Sequence, residues 1–167
     1  MTKQDQSEHN LFKKDVTMIN FITRTFGILS LLFFVSTITL AQKQVSEVIR
    51  VAAVYTNPPN SADGVDLNIN WENLSKKTIK YITFGVDPYN AVDDAVACDI
   101  TGHIRVYCKS TGPHAPGSEE TATWENTWYN NTIVRAQIEE VTIIWMDGTT
   151  KDFSKKEIRA LRKQYSE

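Results

Sequence analysis

An antiparallel β-sandwich of seven to eight short strands with a short C-terminal helix is the fold this sequence predicts. Three observations carry it. Through residues 65–72, Val65, Leu67, Ile69 and Trp71 alternate with Asp66, Asn68, Asn70 and Glu72, the period-two pattern of a strand with one face in a core and one in water. Further segments of this kind recur with turn signals about every ten residues, instead of alternating with helical stretches. A capped, amphipathic helical signature comes only at the C-terminal end.

The 167 residues suggest one domain, and hydrophobic and charged fractions of 41% and 23% are those of an ordinary globular chain. A net charge of −2 argues against a nucleic-acid partner, which calls for a basic excess on one face. Residues 26–41, FGILSLLFFVSTITLA, form an uncharged apolar run preceded by Arg24, with Lys13 and Lys14 further back. The run is shorter than the ~20 residues a bilayer span needs. It ends Thr39-Leu40-Ala41 before Gln42, with small residues at the −3 and −1 positions, so residues 1–41 read as a secretory signal peptide and 42–167 as a single mature domain. Translation from Met18 gives a signal of ordinary length. The alternative is a membrane anchor retained at 26–41. Removing 1–41 takes four basic residues (Lys3, Lys13, Lys14, Arg24) and three acidic ones (Asp5, Glu8, Asp15), which leaves a net charge of −3.

In the exported part, residues 46–55 read as a first strand, ended by Asn57-Pro58-Pro59-Asn60, where proline removes ladder donors. Residues 65–72 and 82–86 read as an antiparallel pair joined by the polar turn 73–77. Pro88 marks a strand edge and Asp93-Asp94 a turn. Residues 95–100 and 104–109 read as a hairpin around Thr101-Gly102-His103, which sets Cys98 and Cys108 on adjacent strands. They are the only cysteines, and in an exported chain they are expected to pair. A disulfide over so short a loop contributes about 2–3 kcal/mol by chain-entropy arguments. Two free buried thiols or a metal pair are the alternatives. Residues 110–118, STGPHAPGS, read as a loop.

Residues 120–129 form an aromatic strand, and 133–146 hold another with apolar residues on both faces or a bulge. Asp147-Gly148 signals a tight hairpin into a short strand at 149–153. Ser154 and Glu157 make a capping box, with Phe153 and Ile158 as a hydrophobic staple, for a helix over 155–164. Its basic residues read as a solvated face. The cysteines are too close in sequence to bridge two sheets in the immunoglobulin manner, so the expectation is an immunoglobulin-like sandwich of another topology.

Five phrases taken in order carry a resemblance: Lys77-Thr78-Ile79-Lys80-Tyr81, Pro88-Tyr89-Asn90-Ala91-Val92, Thr111-Gly112-Pro113, Trp128-Tyr129-Asn130 and Met146-Asp147-Gly148-Thr149. Together they resemble small secreted bacterial immunoglobulin-like modules akin to the FxLYD domains. The resemblance covers roughly 65–153 and implies a sandwich fold and an extracytoplasmic role, with no catalytic residues to carry over. Asp93 departs from it, standing where a glycine is expected before Asp94.

Trp124 and Trp128 are an even number of residues apart, so on a regular strand they share a face. With Tyr129 they form either a stacking platform for sugar rings or peptide, or core packing. Asp87, Asp93 and Asp94 near Asn90 have the oxygen chemistry of a calcium site but not the spacing of an EF-hand, and turn chemistry accounts for them equally. His103 and His114 fall in predicted loops, and Glu119-Glu120 and Glu139-Glu140 at strand ends. No G-x-S-x-G, H-E-x-x-H or phosphate-binding glycine loop is present. Asn73-Leu74-Ser75 and Asn130-Asn131-Thr132 match the glycosylation pattern. The sequence therefore predicts an exported, non-enzymatic binding or structural domain of the cell envelope with a protein or envelope partner and no cofactor or metal. A carbohydrate-binding module using Trp124, Trp128 and Tyr129 is the alternative.

Overall fold

Strong alternation in the sequence resolves into seven strands and one helix in the computed structural model, which describes residues 48–166. The expected signal segment, Met18 and the Ala41/Gln42 boundary lie outside these residues. The strands are β1 (Ile49–Thr56), β2 (Gly64–Asn73), β3 (Ile79–Tyr89), β4 (Val106–His114), β5 (Glu119–Tyr129), β6 (Arg135–Trp145) and β7 (Thr150–Asp152), followed by helix α1 (Lys155–Tyr165). They form two antiparallel sheets, β1-β2-β5 and β4-β3-β6-β7. The chain crosses between sheets after β2, β4 and β5, giving an antiparallel β-sandwich as the sequence predicted. β4 lies beside β3 in the four-stranded sheet, unlike the fourth strand of an immunoglobulin constant domain.

The core lies between the sheets. Phe84 of β3 is met edge-on by Trp71 of β2 at 6.2 Å and by Trp124 of β5 at 6.4 Å. Val65, Leu67, Ile69, Ile82, Val86, Ile138 and Ile143 surround them without exposed surface. Burying an aliphatic or aromatic side chain of this size is worth about 1.5–3 kcal/mol each, so this layer dominates the favourable side of folding.

The structure corrects three expectations. β2 and β3 do not pair; each is the centre of a different sheet. The physical reason is Asn73, which the polar turn reading placed in water. It has no exposed surface, and its carboxamide holds the chain at the crossing, donating to Lys77 O, His114 O and Ala115 O and accepting from Ser75 N–H and Oγ–H. A second correction concerns residues 95–100, which are a loop touching the sheet through one bridge, Tyr89 to Ala95. β4 instead runs through Ser110 to His114, into the stretch expected to be a loop.

The third correction is the disulfide, because Cys98 and Cys108 are both free and buried. Without the hairpin, Cys98 sits in the loop, its sulfur accepting from Tyr129 N–H at 3.4 Å, while Cys108 faces the core from β4. Burial pushes the Cys108 thiol up to about 12. At Cys98 burial acts in the same direction, but hydrogen bonds from Thr101 and Tyr129 outweigh it and lower the thiol.

Other expectations hold. The two-faced apolar pattern of β6 comes from a register shift opposite Gly85 and Val86, which turns both Ile138 and Val141 inward. Ser154 caps α1 with the full capping box. Asp93 has φ 67, so an aspartate adopts the left-handed conformation that a glycine would take there.

Both open seams of the sandwich are closed by side chains. On the β1/β6 side, α1 buries Ile158 and Leu161. There Gln164 Oε1 accepts from Val51 N–H, and the Tyr165 hydroxyl accepts from Ile138 N–H. Arg162 Nε donates to Ile138 O at 2.7 Å, and its guanidinium pairs with Glu139, so this arginine is more than a solvated charge. On the β4/β5 side, Trp124 Nε1 donates to Lys109 O and Trp128 Nε1 to Ile104 O.

Candidate functional site

The outer face of the four-stranded sheet carries a set of side chains fixed in place before any ligand arrives. β4 supplies Tyr107 and Lys109, which alternate with inward Cys108 and Ser110. Arg105, in the segment leading into β4, grips Asp87 of β3 bidentately through Nε at 2.7 Å and Nη2 at 2.8 Å. Its Nη1 bonds Glu140 of β6, and Glu140 accepts from the Tyr107 hydroxyl at 3.2 Å. These carboxylates raise the Arg105 guanidinium above its ordinary value against the opposing effect of burial. Paired on two sides, it is locked in charge and orientation.

Gly85, under this network, explains how the aromatic ring lies down. A Cβ there would come within 2.9 Å of Glu140 Cβ and 3.1 Å of Tyr107 Cε1, so only glycine lets the two close over the strand. Tyr107 is nonetheless 63% exposed, presenting its ring to solvent. Beside it Lys109 Nζ stands 3.7 Å over the ring of Tyr81. Toward α1 the face continues into a groove of about 500 Å³, lined by Arg105, Glu140, Phe153, Ile158 and Arg159 among others. Tyrosine and arginine around an exposed ring are the residue types that dominate protein interfaces. This face was not read from the sequence; a glycine in mid-strand and the alternation of Tyr107 and Lys109 are the signals that could have pointed to it. Arg105 had none, because its partners are far away in sequence.

The aromatic strand is placed differently. Trp128 has no exposed surface, and Trp124 packs against the core as the edge partner of Phe84. Two extra residues bulge out of β5 between them, where Asn126 has φ 50 and its N–H binds Asp66. With both indole N–H groups engaged on carbonyls, the pair presents no stacking platform, and Tyr129 is half-buried behind Trp128. The acidic cluster is dispersed too. Asp87 faces Arg105 and Asp93 faces Arg135, and no group of three metal-ligating side chains occurs among the described residues.

Neither glycosylation pattern is free. Asn73 is buried, and the Asn130 amide donates to Ala97 O and Asp99 while its oxygen accepts from Thr132. His114 is the end of β4, not a loop residue, and it meets Ser110 and Glu120.

The chain matches no protein-family model, no curated protein and no solved structure.

Proposed function

We propose that this protein is an exported β-sandwich module that binds a protein partner of the cell envelope through the outer face of β4-β3-β6. The carrying observation is the pre-organised Asp87–Arg105–Glu140–Tyr107 network with its exposed ring. Side chains already held in their bound arrangement lose little entropy on association, which is where much affinity originates. Export is supported by the apolar run at 26–41 and by the resemblance to secreted FxLYD-like modules. Sugar binding through Trp124, Trp128 and Tyr129 is less well supported, since Trp128 is fully buried and both indole N–H groups are engaged on carbonyls.

A photo-crosslinking amino acid placed at position 107 in the exporting host tests this reading. Position 121, an exposed site on the other sheet, is the control. A discrete protein adduct from 107 and not from 121 is expected, and Arg105→Glu removes it. Equal adducts from both positions, or none from 107, sink the proposal. Mass spectrometry of the exported chain is expected to find Gln42 as its first residue.

A further inference from the structure

A serine, an imidazole and a carboxylate meet at the β4/β5 seam, away from the binding face. Ser110 Oγ lies 3.2 Å from His114 Nε2, and His114 Nδ1 lies 3.0 Å from Glu120 Oε1. Residues four apart on a regular strand are separated by about 13 Å, so this contact needs the chain to bend. The bend is a bulge, in which three steps of β4, Thr111 to His114, oppose the two steps of β3 from Ile79 to Tyr81. Gly112 sits in it, where a Cβ would come within 2.6 Å of His114 N and 3.1 Å of the imidazole Cδ2. The bulge therefore aims the imidazole back at Ser110, and Asn73 fixes it by donating to the His114 carbonyl.

We propose that Ser110, His114 and Glu120 form an acyl-transfer site for small esters. The two nitrogens are engaged in the order the chemistry requires. Nδ1–H donates to the carboxylate, which leaves the Nε2 lone pair to accept from the serine hydroxyl. Ser110 is half-buried, and the imidazole is only 6% exposed and shielded from water. A second observation points the same way. Trp71 packs edge-on to the imidazole at 4.9 Å, and its indole N–H, on a side chain 2% exposed, has no acceptor among the described residues. Buried unpaired donors are rare in folded proteins, and this one is carried by the ring packed against the imidazole.

In the first step Ser110 Oγ attacks the ester carbonyl carbon and its proton passes to His114 Nε2. The bond from that carbon to the leaving alcohol oxygen then breaks, and Nε2 returns the proton to this oxygen. Water attacks the acyl-serine in the same way, giving its proton to Nε2. The bond to Ser110 Oγ breaks, Oγ regains the proton, and a carboxylic acid leaves. Glu120 takes no proton in either step; it is a positioning residue that holds the imidazole.

The test uses the full chain with a fluorophosphonate probe and with p-nitrophenyl acetate, followed by intact mass and peptide mapping. One probe adduct on Ser110 and a matching burst of nitrophenolate are expected. Ser110→Ala abolishes both while its thermal melt stays that of the wild type. Glu120→Gln slows labelling by roughly 100-fold or more. An unmodified Ser110 in the folded chain overturns the proposal, as does labelling that survives Ser110→Ala or proceeds at the wild-type rate in Glu120→Gln. If His114→Gln or Glu120→Gln lowers the melting temperature and the wild type is never labelled, the three residues only clasp the seam. None of these outcomes touches the crosslinking at position 107.

Discussion

Asn73→Ala removes five hydrogen-bond contacts from a side chain with no exposed surface. Its two N–H bonds serve three carbonyls and its oxygen accepts from the Ser75 N–H and hydroxyl, so about four full hydrogen bonds are at stake. At about 1 kcal/mol net for each, less what water restores around Ser75 and Lys77, the loss is about 3 kcal/mol. That is a large part of the 5–15 kcal/mol typical of a domain and lowers the melting temperature by roughly 10 °C. Asn73→Asp keeps the shape but turns a carboxylate oxygen toward the carbonyls of Lys77, His114 and Ala115, and is expected to cost more than alanine at neutral pH. Urea titration reads both as a lower midpoint with an unchanged slope. If both variants stay within about 0.5 kcal/mol of the wild type, as exposed substitutions do, Asn73 does not hold the crossing between sheets and the account of why β2 and β3 separate is wrong.

Four further outcomes follow from the same geometry. Denatured without reductant, the chain takes up two alkyl groups on iodoacetamide treatment, read by intact mass, because Cys98 and Cys108 are unpaired; in the folded state Cys98 reacts before Cys108. Burial tends to raise Glu157, but Lys151 and the Ser154 cap hold it at about 2 against an ordinary 4.5. Its stabilisation is therefore present above pH 4.5 and lost as pH falls toward 2, and Glu157→Gln flattens that part of an acid titration followed by circular dichroism. Tyr165 lies above its ordinary 10.0 because of burial, so it stabilises fully below pH 10.0 and less as pH rises through the higher folded value. Tyr165→Phe removes this alkaline loss and costs about 1 kcal/mol at neutral pH through the unpaired Ile138 N–H, measured by thermal melts. Gly85→Val forces Tyr107 and Glu140 apart, and is expected to destabilise by about 1–3 kcal/mol and to abolish the crosslink at position 107.

The strands that were easiest to read are those whose burial follows local alternation. β2 shows its inward Val65, Leu67, Ile69 and Trp71 directly in the sequence, and α1 shows its cap and staple, since both patterns arise from neighbours within a few residues. The misread stretches share the opposite property. Residues 110–114 look like a loop because of Gly112 and Pro113, yet Ile79 to Val86 of β3 offer a ladder that outweighs local propensity. Cys98 looks like half of a hairpin, but its loop is held instead by Tyr129, 31 residues away.

The two sites belong with the misread stretches. The outer face of β4-β3-β6 was not singled out in the sequence, and Arg105 joins it only through Asp87 and Glu140, 18 and 35 residues distant. His114 and Glu120 stand apart in the sequence and belong to no catalytic motif. A bulge at Gly112 and the closing of the β4/β5 seam bring them within 3.0 Å. By itself, then, the sequence determined the sandwich class and the capped helix, because periodicity and capping are local. Only the tertiary structure decided which strands share a sheet, that the cysteines stay apart and that Ser110, His114 and Glu120 meet, because each of these depends on contacts that sequence spacing does not encode.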